Sequence, residues 1–184
     1  MRIFISGGSK SGKSMHAQRI AKKMQKPGAP LYYLATMVPY DDEDRQRIER
    51  HRQEREGWGF ETVEVGRDVL AVIDKCDKSG AFLLDSVTAL LANEMFTPDG
   101  RADINAHKKV AGDLAGLIEK VGDVVIVSDY IYSDAHFYDD LTEAYRRGLA
   151  NIAVQMARLC DLVLEACCGL LIAHKGGELL NGIY

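Results

Sequence analysis

The chain is poor in the features that define several protein classes. Four prolines among 184 residues, against 47% apolar and 27% charged residues, exclude a proline-rich or low-complexity chain. The 17 glycines follow no triplet period, which excludes a collagen-like repeat. Four cysteines, Cys76, Cys160, Cys167 and Cys168, include no C-x-x-C pair, so neither a zinc site nor a disulfide framework is indicated and core thiols are expected, with Cys167-Cys168 inside a buried strand. Charge of one sign is not in excess. With 23 Lys and Arg against 27 Asp and Glu, the net charge is −4 and the bases are interleaved with acids, which argues against a nucleic-acid surface. Long apolar runs are missing too: Val124–Val127 and Leu162–Ala173, the latter carrying Glu165, fall short of the roughly 20 residues that span a bilayer. Met1-Arg-Ile-Phe-Ile-Ser6 enters a strand-like run directly, without the apolar region and cleavage site of a secretory signal, which predicts a cytoplasmic location.

What is present is an alternation of short apolar runs with longer helical patterns. Strands are expected at Arg2–Ser6, Leu31–Ala35, Thr62–Val65, Ala81–Leu84, Val124–Val127 and Leu162–Cys167, with Leu170–His174 as a further edge strand. Helices are expected at Lys13–Met24, Asp41–Glu56, Val69–Lys75, Val87–Phe96, Ile104–Val121 and Asp140–Cys160, the last with apolar residues at i, i+3, i+4 spacing. No linker or internal repeat interrupts the pattern. It predicts a single α/β domain over residues 1–184, a mostly parallel sheet with helices on both faces, in the manner of the P-loop NTPases.

Directly after the first strand, Gly7-Gly8-Ser9-Lys10-Ser11-Gly12-Lys13-Ser14 satisfies G-x-x-x-x-G-K-[ST] in full, and an amphipathic helix follows. Glycines let successive amide N–H groups turn inward, and the helix N-terminus adds partial positive charge, which together make an anion cradle. In such a loop Lys13 reaches the β- and γ-phosphates of GTP or ATP and the Ser14 hydroxyl holds Mg²⁺. A second metal partner is expected at the end of a buried strand. Asp85, closing Ala81-Phe-Leu-Leu-Asp85, fits that role best, with the cap of the helix beginning at Val87 as the alternative. Glu94 and Asp129 are weaker candidates.

Residues 41–56 carry Ile48 as their only apolar side chain. Such a helix is ordinarily a solvated one laced by i, i+4 pairs. One detail stands apart: His51 shares a face with Arg47 and Arg55, and Arg50 and Arg52 flank it. An imidazole nitrogen among arginines that grip phosphate is the arrangement for nucleophilic attack on a nucleotide α-phosphate, giving a phosphoramidate. A phosphate-sensing surface would carry the same arginines, so spacing leaves both open.

These residues resemble a known family, the bifunctional adenosylcobinamide kinase/adenosylcobinamide-phosphate guanylyltransferases of cobalamin biosynthesis. The resemblance rests on Ile5–Ser14, on Leu31-Tyr-Tyr-Leu-Ala-Thr36, on Asp41-Asp-Glu, on Arg47-Ile48-x-x-His51-Arg52-x-x-Arg55, on Thr62-Val-Glu64, and on Leu83-Leu-Asp85-Ser-Val-Thr88 with Asn93, in order over about the first half of the chain. It implies that His51 is guanylylated by GTP and that Gly7–Ser14 hold nucleotide phosphates. Thr36, Met37 and Val38 would line the nucleotide site with Arg52, Gln53, Glu54 and Arg55, and Glu64 and Asp85 would contact nucleotide. It further implies phosphorylation of the adenosylcobinamide hydroxyl, transfer of GMP to that phosphate, and a propeller-like homotrimer in which the histidine-bearing helix swings relative to the P-loop.

The second half departs from the family pattern. Val127-Ser-Asp-Tyr-Ile-Tyr-Ser-Asp134 stands where the family carries an Asn-Glu pair and glycines. Tyr130, Tyr132, His136, Phe137 and Tyr138 nearby suit either a wall for a flat macrocycle or an ordinary surface loop. His136 and His174 have no metal-ligand spacing, and His16 and His107 simply lie on helices. Two other readings stay open: a small-molecule P-loop kinase whose 41–56 helix is a lid and which forms no covalent intermediate, and a nucleotide-binding relic without turnover.

Overall fold

A computed structural model describes every residue but Pro98 and Ser133, together with the backbone but not the side chains of Arg47 and Glu54. Seven strands form one sheet: β1 (Arg2–Gly7), β2 (Leu31–Ala35), β3 (Glu61–Glu64), β4 (Ala81–Asp85), β5 (Asp123–Asp129), β6 (Leu162–Cys167) and β7 (Leu170–Lys175), in the order β3-β2-β4-β5-β1-β6-β7. All pairings are parallel except the β6–β7 hairpin. The helices are α1 (Lys13–Met24), α2 (Asp42–Glu54), α3 (Val69–Ile73), α4 (Val87–Met95), α5 (Ala106–Lys120) and α6 (Asp140–Leu159).

The near-continuous apolar character of the central strands follows from cover on both faces. On one face, Phe4, Leu84 and Ile126 pack under α3, α4, α5 and α6. On the other, Ile3, Ile5, Leu83 and Val125 pack under α1, with Ile183 just after the C-terminal 3₁₀ turn (Gly177–Gly182). Among the described residues, none of α2 belongs to either core, as its shortage of apolar side chains demands.

Several boundaries differ from expectation. Strand β5 runs from Asp123 to Asp129 rather than Val124–Val127, and β3 begins at Glu61. The helix α3 stops at Ile73, and α5 begins at Ala106 rather than Ile104. The expected burial of the cysteines holds for Cys160, whose thiol burial pushes up to about 12, but not for Cys167 and Cys168. Those two are exposed, because β6 ends at Cys167 and Cys168 takes a left-handed conformation at the hairpin turn. Among the described residues, no helix is long and apolar enough to cross a membrane.

The entry of β1 is fixed by Asp161, just before β6, which accepts hydrogen bonds from Arg2 backbone N at 2.9 Å and from Arg2 Nη2 at 2.7 Å. The bond from the Arg2 side chain holds the Asp161 carboxyl below the usual range. Its stabilising contribution is therefore complete above about pH 4 and is lost as pH falls through the lowered folded-state value. Asp161→Asn is expected to flatten the acid limb of the stability profile, read from urea midpoints between about pH 5 and 2. Ile126 is fully buried. Ile126→Ala is expected to cost about 2–5 kcal/mol, read as a lower urea midpoint at unchanged m.

Candidate active site

The loop between β1 and α1 is built around two glycines. A Cβ on Gly7 would lie 2.6 Å from Ala166 O and 2.7 Å from Ser11 Oγ, so no larger residue fits between the loop and β6. Gly12, at φ +89°, precedes α1 in the left-handed region and turns the chain into the helix. Ser11 Oγ is buried with no hydrogen-bond partner among the described residues, as expected of a cradle shaped for a polar ligand. Lys13, less than a tenth exposed, donates to Gly8 O at 3.1 Å and pairs with Asp129 Oδ1 at 2.5 Å.

The hairpin turn backs the loop. Gly169 N donates to Ser11 O at 3.2 Å, and Gly169 O lies 3.0 Å from His16 Nε2. His16 Nδ1 is 2.7 Å from the Tyr184 hydroxyl. A carbonyl can only accept, so Nε2 carries a hydrogen and donates to Gly169 O, and in the neutral ring Nδ1 accepts from Tyr184. His16, a helix residue without evident role in the sequence, thus joins α1 to the hairpin.

A cleft of about 650 Å³ opens beside Lys13 and Ser14 at the C-terminal edge of β2, β4 and β5. It is lined by Met37 and Val38 after β2, by His51, Arg52 and Arg55 of α2 and its C-terminal cap, by Glu64 at the end of β3, and by Asp85 and Asp129. The fold thus brings His51 into the cavity that holds the P-loop lysine. The helix that carries it starts at Asp41, whose side chain accepts from Asp44 N at 2.8 Å, and its acidic first turn suits the N-terminal end of the helix dipole. Its C-terminal end is held by Arg55, buried, with its guanidinium 3.6 Å above the Tyr33 ring. Tyr33 in turn donates to Asp85 Oδ2 at 3.1 Å.

Asp85 is left available because Ser86 caps α4 in its place, its hydroxyl accepting from Ala89 N in the first turn of that helix. Ser14 and Asp85 offer one hydroxyl and one carboxylate beside the anion cradle. That sparse hard-oxygen set suits Mg²⁺, which takes most of its ligands from water and phosphates. Among the described residues no group of three or more His, Cys, Asp or Glu forms a metal cage.

Other expected site residues lie elsewhere. Thr36 is fully buried behind the cleft; its hydroxyl donates to Ser86 O at 2.8 Å and accepts from Ser86 N at 2.7 Å. Asn93 Nδ2 donates to Thr36 O at 2.8 Å and to Gly66 O at 2.9 Å. Gln53 lines a shallower hollow behind α2 with Glu49 and Phe60. The expected side-chain roles of Glu54 and of Arg47 beside His51 lie outside the described residues. Glu94, one of the weaker metal candidates, is not among the residues that line the cleft: it accepts from Lys109 at 2.5 Å and from Asp68 N at 2.9 Å. None of Tyr130, Tyr132, His136, Phe137 and Tyr138 lines the cleft. Phe137 is almost wholly exposed, and Arg146 holds the segment by donating to Ile131 O at 3.1 Å and pairing with Asp134 at 2.9 Å. His174 is exposed and sits 2.8 Å from Glu165.

Three residues given no site role from the sequence also face the cleft. Tyr33, Thr88 and Tyr145 line it, and burial, helped by Asp129, pushes the Tyr145 phenol well up. Tyr145 donates to Thr88 O at 2.8 Å. Tyr33 and Thr88 lie within the motifs that carry the family resemblance, whereas the signal for Tyr145 was its position on the apolar face of a helix.

Known proteins share this sequence pattern and this architecture. A family model described as "Cobinamide kinase / cobinamide phosphate guanyltransferase" matches residues 3–173. The chain is 35% identical over 105 residues to the bifunctional adenosylcobalamin biosynthesis protein CobU of Escherichia coli K12, an alignment covering 56% of this chain and 55% of that protein. It is 27% identical over 184 residues to the bifunctional adenosylcobalamin biosynthesis protein CobP of Pseudomonas aeruginosa, covering 97% of this chain and 100% of that one. The chain thus spans about half the length of the first relative and all of the second. Among solved structures, the flagellar accessory protein FlaH from Methanocaldococcus jannaschii aligns with a TM-score of 0.51 at 12% identity, covering 94% of this chain and 77% of that one. A second solved structure, an ATPase domain, aligns with a TM-score of 0.51 at 13% identity, covering 89% of this chain and 68% of that one. These two likenesses establish the P-loop NTPase fold.

Thr36→Val keeps the shape of the side chain but leaves Ser86 N and O without their partner. It is expected to cost about 1–3 kcal/mol in urea unfolding, while Thr36→Ser retains near-wild-type stability. Equal stability of the valine variant would contradict the structural role given to Thr36.

Proposed function

The chain belongs to the cobinamide kinase/cobinamide phosphate guanyltransferase family, and on that premise we propose that it is a GTP-dependent kinase and guanylyltransferase of adenosylcobalamin biosynthesis. The observation that carries this reading is the sharing of one cleft by His51 on α2 and by Lys13, Ser14 and Asp85 at the P-loop. A kinase without a covalent intermediate needs the loop but has no use for a histidine there.

In the first reaction the loop amides and Lys13 bind the triphosphate and the adenosylcobinamide hydroxyl takes its terminal phosphoryl group. Catalysis there is positioning and charge neutralisation. Mg²⁺, held by Ser14 and Asp85, would supply charge neutralisation at the phosphates. In the second reaction a His51 ring nitrogen attacks the α-phosphorus of GTP, and pyrophosphate leaves. A phosphate oxygen of adenosylcobinamide phosphate then attacks the same phosphorus, the P–N bond breaks, and GMP passes to the corrinoid with His51 restored. Arg52 and Arg55 line the cleft beside His51 and would match phosphate oxygens with paired N–H donors. Met37, Val38 and Glu64 would bound the nucleotide. The same reading takes residues 1–184 as one P-loop α/β domain acting in the cytoplasm as a homotrimer.

Incubation with α-³²P-labelled GTP, followed by denaturing electrophoresis, tests the covalent step. Label is expected on the wild-type chain, released by acid and lost in His51→Ala, and α-labelled ATP is expected to label it far less. Bound but untransferred GTP would overturn the guanylyltransferase reading. Transfer of γ-label to adenosylcobinamide by the same His51→Ala chain is the expected sign that the kinase reaction does not need the histidine.

A further inference from the structure

Asp129 stands at the end of β5 with its backbone fixed on both sides. It is in register with Gly7 across the β1–β5 pair, its N–H donates to Thr88 Oγ1 at 2.9 Å, and the next N–H, of Tyr130, donates to Gly7 O at 2.8 Å. The side chain is therefore aimed, and what it meets is Lys13 Nζ at 2.5 Å. The lysine side chain is nine-tenths buried, and its ammonium also donates to a carbonyl within the loop itself. A carboxylate thus stands against the group that a P-loop uses to grip the β- and γ-phosphates.

Lys13 cannot hold both anions at close range without cost. A polyphosphate arriving at Lys13 meets a negative charge a few ångströms away, in a site less polarisable than water. Asp85, the other carboxylate beside the loop, accepts from Tyr33, and among the described residues no ion pair joins it to Lys13. The competition therefore falls on Asp129.

We propose that Asp129 is a specificity-determining residue of the nucleotide site, an internal anion that occupies Lys13 in the nucleotide-free protein and must be displaced for a triphosphate to bind. The inference rests on the nucleotide reading of the cleft given above. Binding is then an exchange of one anion for another, and only a ligand that also satisfies the loop amides completes it. Inorganic phosphate, which offers one anionic group and no chain to span the loop, leaves the pair intact.

The test is calorimetric titration of a non-hydrolysable GTP analogue into wild type, Asp129→Asn, Lys13→Ala and the double variant, in buffer free of divalent cations. Asp129→Asn is expected to bind about tenfold tighter than wild type. That gain is expected to disappear in the Lys13→Ala background, because Asp129 acts through Lys13. Inorganic phosphate is expected to bind the Asn variant detectably and wild type not at all. Binding by Asp129→Asn no tighter than wild type overturns the inference, as does an equal gain in both backgrounds, which would reflect net charge only. Asp129→Ser, alongside thermal melts of all variants, separates either result from misfolding. If wild type and every variant fail to bind the analogue, the nucleotide reading falls and the inference with it; binding by wild type with no gain in the variants removes the inference alone.

Discussion

The site depends on one constraint, the common register of the parallel strands. Ala35 pairs with Asp85, Asp85 with Val127, and Gly7 with Asp129, so β1, β2, β4 and β5 all end at the same edge of the sheet. The loop, both carboxylates and the residues after β2 therefore open onto one crevice, where open α/β sheets place their ligands. A slip of one residue in β4 would move Asp85 to the opposite face and bring Leu84 to the cleft. The two apolar cores, one on each face, hold that register.

Much of this was legible from the residues. The P-loop sequence, its strand and its helix follow from local preferences that agree with one another: a glycine where crowding forbids a Cβ, another where the chain turns left-handed, then an amphipathic run. The solvated character of α2 was equally plain from Ile48 being alone among charges. What could not be read was which polar side chain serves structure and which faces ligand. Ser86 rather than Asp85 caps α4, Thr36 ties β2 to β4 from behind, and Glu94 is spent on Lys109. Those outcomes turn on three-dimensional proximity, which spacing along the chain does not encode. The exposed Cys167 and Cys168 likewise follow from where a hairpin turns, a matter of one or two residues in a run that is apolar throughout.

The cleft combines opposing charges that would be costly if left unmatched. Lys13 faces Asp129, Asp85 receives the Tyr33 hydroxyl, and the Arg55 guanidinium carbon sits over the Tyr33 ring. Tyr33 thus binds a cation on its face and an anion at its hydroxyl, joining α2 to the carboxylate beside the P-loop through one side chain. The P-loop itself is braced from the other side by the β6–β7 turn and by His16. The loop is thereby held on two sides, while the wall opposite it is not.

That wall is α2, thirteen residues long, with none of its described side chains in either core. A helix that buries so little apolar surface draws its stability from its caps, from charge pairs along its surface and from the Arg55 stack, each modest and the exposed ones weakened by salt. Its free energy of local opening is consequently far below that of the sheet, and it belongs to the low end of the molecule's hierarchy of cooperative units. The backbone amides of 42–54 would then exchange with solvent through excursions that leave β1, β4 and β5 intact. His51 thus rides on an element that opens cheaply, while Lys13 and Ser14 begin a helix whose preceding loop is braced between β1 and the β6–β7 turn.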